Sequence, residues 1–195
     1  MTEDGQALTS WQISYAEKVQ EAGLTKYTKN TDYYDYNNAI VSDAASEISI
    51  KASSPREAAK LAAEYVYNHV QYKVGEADSK CFDGTAPEII ASGSGQCDTE
   101  SISLVAILRK MGIPATTAGG CIIFNSKCEK FAIFAPGVQN SFEIDLNQTT
   151  FSRGFDPRAL QDLFQSTLVP GIGRYGGLHA WVMAWIDGAV GCQQH

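Results

Sequence analysis

As far as Gly112, apolar positions recur at helical spacing, and beyond Pro114 they gather into short runs of branched and aromatic residues. The pattern predicts helices first and strands afterwards. Residues 9–22 place Trp11, Tyr15 and Val19 four apart, with Thr9 or Ser10 as N-cap and Gly23 past the end, so an N-terminal arm begins with a helix. The next stretch, Lys26 to Asn38, is polar and tyrosine-rich without helical period and reads as an irregular connection. Its tyrosines either form a binding surface or pack partly on the domain. Ser42 is placed to cap a helix running to about Lys51. Ser54, Pro55 and Glu57 give a stronger start signal for a helix to about Val70, because serine caps, proline fits the first helical position and glutamate completes a capping box. His69 at its end reads as structural or surface, and Tyr72 follows in an extended segment.

Thr85 and Glu88 form another capping box, opening a short helix that ends at Ser92 and Gly93. Ser94, Gly95 and Gln96 then lead into a helix that starts near Cys97 and repeats apolar residues at Ile102, Val105, Ala106, Leu108 and Met111, with Gly112 placed to stop it. Strands follow at ATTAGGCIIF, KFAIFAP and SFEIDL. Asp156, Pro157 and Arg158 start a further helix, and the glycine-rich residues 168–178 form either a substrate entrance or a plain connection. The last predicted strand, His179 to Asp187, alternates His179, Trp181, Met183, Trp185 and Asp187 on one face with Ala180, Val182, Ala184 and Ile186 on the other. Both faces are largely apolar, which marks an interior strand.

Composition narrows the range of functions. The chain has 195 residues, 44% of them hydrophobic and 19% charged, with a formal net charge of -7. That balance argues against nucleic acid or an anionic membrane as the main partner, since both reward clustered Lys and Arg. No apolar run approaches the roughly 20 residues that span a bilayer, so no membrane insertion is expected. Met1 to Ser10 is too polar for a signal peptide. The five cysteines are Cys81, Cys97, Cys121, Cys128 and Cys192. If Cys97 is a free nucleophile, four remain. Cys121 and Cys128 flank a candidate hairpin and could bridge in an oxidising compartment, leaving Cys81 and Cys192; alternatively all four are buried thiols.

Cys97 is the candidate for chemistry. A helix start presents backbone N–H groups and the positive end of the macrodipole, which favour thiolate over thiol. His179 becomes its base only if the fold brings the two together, which sequence spacing alone does not establish. No Gly-Lys-Ser/Thr ending marks GSGQC as a phosphate loop, and no paired Cys-x-x-Cys spacing marks a metal site.

The blocks SPREAAKLAAEYVYNHVQY, GQCDTESISLVAILRKMGIPA and HAWVMAWIDG, in that order, resemble the transglutaminase-like superfamily of papain-type cysteine enzymes. The resemblance covers Ser42 to the C-terminus. It implies an α+β domain over residues 42–195, preceded by the 1–41 arm, in which a helix carrying the cysteine packs against an antiparallel sheet carrying the histidine. By the same resemblance Cys97 is the nucleophile and His179 the general base, acting on amide bonds of a protein or peptide substrate without a cofactor. The oxyanion donors and substrate contacts it implies are the Cys97 N–H with Tyr72, Gln96 and Trp181. The family places an Asp about 15 positions after the histidine, where this chain has Gln193, Gln194 and His195. Three expectations stay open: the acid lies beyond His195, Gln194 replaces it, or the chain is a non-catalytic binding or structural module of a secreted or cell-envelope protein.

Overall fold

The computed structural model describes residues 7–72, 84–124, 130–134, 142–145, 176–186 and 189–193. The elements are α1 (Ser10–Glu21), a 3-10 turn (Thr25–Thr28), α2 (Ala39–Lys51), α3 (Pro55–His69), β1 (Gln71–Tyr72), α4 (Ala86–Ser92), β2 (Ser94–Gly95), α5 (Cys97–Lys110), β3 (Ala115–Phe124), β4 (Lys130–Phe134), β5 (Phe142–Asp145), β6 (Gly176–Ile186) and β7 (Ala189–Gln193). This is an α+β chain, helices first and antiparallel strands after. The helix expected from Asp156 and the cysteines Cys81 and Cys128 lie outside the described residues.

Two compact units divide it: Met1–Thr117 with Trp181–His195, and Ala118–Ala180. In the first, α5 forms the centre. Every residue from Thr99 to Arg109 is buried, and α2, α3 and α4 pack around it. A helix that is covered on all sides needs little polar surface. Its serines satisfy themselves, Ser101 Oγ donating to Cys97 O at 2.5 Å and Ser103 Oγ to Thr99 O at 3.1 Å. Val182, Ala184 and Ile186 of β6 belong to the same buried core. β7 pairs antiparallel with β6 from Val182↔Gln193 to Ile186↔Ala189, and Trp185 N–H donates to Pro114 O at 2.9 Å on the other side. β6 is thus an interior strand, as its two apolar faces predict. In the second unit β4 pairs antiparallel with both β3 and β5.

The N-terminal helix is docked through its apolar stripe. Trp11, Tyr15 and Val19 are buried; Trp11 Nε1 donates to Ser49 O at 3.2 Å and Gln12 Nε2 to Met111 O at 3.2 Å. Tyr15 stacks on Trp185 with centroids 5.5 Å apart, and its hydroxyl donates to Trp185 O. The tyrosine-rich connection packs as well. Tyr34 is buried under Arg109, whose guanidinium lies 4.2 Å from the ring centroid, donating from Nε to Ala115 O at 2.8 Å and from Nη1 to Lys29 O at 3.0 Å. Tyr33 stays exposed.

Most helix starts follow the local rules. Ser54 accepts from Glu57 N–H at 3.2 Å, and Thr85 N–H donates to Glu88 at 2.8 Å. α2 differs: it begins three residues before Ser42, because Asn38 Oδ1 caps Ile40 N–H at 3.1 Å.

Candidate active site

The route from α3 to α5 brings Tyr72 to Cys97. α3 ends at His69, and buried Val70 turns the chain into β1. Gly93, at φ +65°, ends α4 in a left-handed conformation that suits glycine, so β2 can run parallel to β1. Gln71 N–H donates to Gly93 O at 2.9 Å, and the register sets Tyr72 opposite Gly95, two residues before Cys97.

Gly95 permits this approach. A Cβ there would lie 2.6 Å from Thr99 Oγ1 and 3.1 Å from Val70 Cγ1. Thr99 Oγ1 is already committed, accepting from Gln96 N–H at 2.7 Å and so closing the first turn of α5. Gly95→Ala is therefore expected to displace Thr99, lower the thermal midpoint by several degrees and slow alkylation of Cys97. A variant with unchanged melting and unchanged labelling would refute the role of that contact.

Cys97 is the first residue of α5, half-buried and not joined in a disulfide. The Tyr72 hydroxyl lies close enough to the sulfur for the two groups to interact. Tyr72 retains 41% exposure, yet burial of the rest, then the nearby charges of Cys97 and Glu100, push its ionisation up to about 12. It stays a proton donor throughout the neutral range. Asp98 Oδ1 accepts from Thr99 N–H at 2.9 Å at the positive end of the helix, a favourable place for a carboxylate. Glu100 is the exception in this turn. It is 7% exposed, and burial, with Asp98 adding to it, raises its carboxyl to about 7.

Of the residues singled out by sequence, the structure gathers Tyr72, Gln96 and Cys97 at one place, Gln96 as the N-cap of α5. His179 and Trp181 occupy alternate positions of β6, Trp181 in the first unit and His179 in the second. Gln194 lies outside the described residues. His69 is exposed and stacks on Tyr65 at 3.9 Å, a structural histidine. Sequence reasoning passed over Glu100. The available signal was spacing, since residues 97, 100, 104 and 108 repeat at helical intervals and Leu104 and Leu108 are fully buried.

The pattern of the transglutaminase-like superfamily matches residues 42–190, and the chain belongs to that superfamily. No curated protein matches the chain. Among solved structures, it is similar to a candidate cysteine protease from Cytophaga hutchinsonii at 15% identity and TM-score 0.43, the match covering 88% of this chain and 63% of that one. A candidate protease from Parabacteroides distasonis is similar at 13% identity and TM-score 0.44, over 89% of this chain and 25% of that one. The chain thus spans under two thirds of each. Among the described residues no helix is long and apolar enough to cross a membrane.

Proposed function

We propose that the chain is a thiol-dependent enzyme acting on amide bonds of protein or peptide substrates, as a cysteine peptidase or as an acyl transferase to amines. Residues 42–195 carry the chemistry and residues 1–41 form an arm. His179 takes the Cys97 proton, and the thiolate attacks the amide carbon. The C–N bond breaks as His179 returns the proton to the leaving amine, leaving a thioester. Water or an amine then attacks, the C–S bond breaks and the thiolate is released. Gln194 orients the His179 ring in place of the family's acid, and Gln96 and Trp181 contact substrate.

The observation that supports this reading is the Tyr72 hydroxyl on the Cys97 sulfur at the start of α5, in a chain of this superfamily. A permanent donor beside the sulfur is positioned to serve the oxyanion together with the N–H groups of the first turn. Cys97 is expected to react with iodoacetamide at pH 6 faster than a free thiol, and Tyr72→Phe to cost about 10²-fold in amide turnover. Labelling no faster than a free thiol would reject the enzyme reading in favour of a non-catalytic module of a secreted or cell-envelope protein.

A further inference from the structure

Glu100 lies one turn along α5 from Cys97, on the same face, where side chains three apart stand about 5–6 Å from each other at Cβ. Its carboxyl is buried, with no hydrogen bond or ion pair among the described residues. A buried carboxyl without a partner is costly when charged, so its protonation state is set by whatever else is charged nearby. The ionisable groups acting with it are Asp98 on its own helix and, from β1, the Tyr72 hydroxyl that also meets the Cys97 sulfur. Among the described residues, no charged group of α2, α3 or α4, the helices packed on α5, acts on it.

We propose that Glu100 is a positioning residue of the thiol centre, whose buried carboxyl controls the Cys97 thiolate through its own charge, permitting it when protonated and opposing it when ionised. The inference rests on Cys97 being the nucleophile. Two negative charges at the same helix start oppose each other in a poorly solvated place, so the protons on sulfur and carboxyl are exchanged as a coupled pair. When Cys97 gives its proton to His179, Glu100 holds its own more tightly. When Glu100 loses its proton to solvent, the sulfur takes its own back from His179. Its carboxyl is raised into the neutral range, which places this exchange where the enzyme would work.

The test is the pH profile of Cys97 alkylation, read by mass at the peptide containing Cys97, in the unsubstituted chain and in Glu100→Gln. The amide keeps the shape and removes the charge. The apparent ionisation of Cys97 is expected to fall by about one pH unit and its broadened curve to sharpen to a single step. An unchanged midpoint and shape would overturn the proposal. That failure differs from failure of the enzyme reading, which appears instead as Cys97 rates no faster than a free thiol in the unsubstituted chain. A second measurement needs no variant: carbon NMR of the Glu100 carboxyl should titrate near neutrality and respond to alkylation of Cys97. A carboxyl that titrates below pH 5, or ignores that alkylation, would equally overturn it.

Discussion

Cys97→Ala is expected to lower amide-bond turnover by roughly 10⁴-fold or more, as removal of the bond-forming member of a catalytic group does. The sulfur is the only proposed atom that becomes covalently joined to substrate, and neither Tyr72 nor the helix start can replace it. Residual rate would come from oxyanion stabilisation and binding alone. Because Cys97 is half-buried at a helix start and its thiol does not fill the core, the variant should fold normally. The measurement is hydrolysis of peptide amides alongside incorporation of a primary amine, with circular dichroism to verify the fold. Retention of turnover in a folded Cys97→Ala protein would remove the thiol mechanism altogether.

The second large effect concerns stability. In the folded chain Glu100 ionises near 7, against an ordinary value of 4.5. A carboxyl raised by folding is protonated in both states at low pH. Between 4.5 and 7 the folded chain keeps a proton that the unfolded chain releases. Its contribution is therefore fully present below the lower value, declines as pH rises and levels off above the higher one. The gap corresponds to about 3 kcal/mol. Glu100→Gln is thus expected to be nearly neutral at pH 4 and stabilising by up to about 3 kcal/mol at pH 8. Urea midpoints of both proteins across that range measure it. The exposed caps Glu57 and Glu88, whose carboxyls are lowered by bonds to Ser53 and Thr85, act in the opposite direction but cancel in the difference between the two proteins. Parallel stability profiles would show that Glu100 is not held neutral by burial.

What the sequence could express depended on range. Starts such as Ser54-Pro55 and Thr85 with Glu88 are written within four residues, because the cap and its N–H lie that close. Asn38 was harder to read, since Asn37 and Asn38 close a polar connection and Ser42 offers an equally good cap. Cys97 at a helix start could be read from the glycine turn before it. Its association with Tyr72 was implied only by the family resemblance and not by any local pattern, because it rests on a two-residue parallel pairing between segments more than 20 residues apart. The same limit applied to Tyr34, whose place beneath Arg109 depends on Ala115 and Lys29 arriving from either side. Glu100 was hidden for another reason. A charged residue in the first turn of a helix normally completes a favourable dipole arrangement at the surface, and here the turn is covered.

The docking of α1 bears on how this chain can be cut and joined to others. The superfamily match begins at residue 42, whereas Trp11, Tyr15, Val19 and Tyr34 already belong to the buried core. The inherited module and the cooperative folding unit therefore have different edges. A fragment trimmed to the match would carry an uncovered apolar seam along α2 and at Trp185, the surface that recruits chaperones or a second copy. Fusions and swaps that preserve folding should place their junction ahead of Thr9, where no core side chain is severed from its partners.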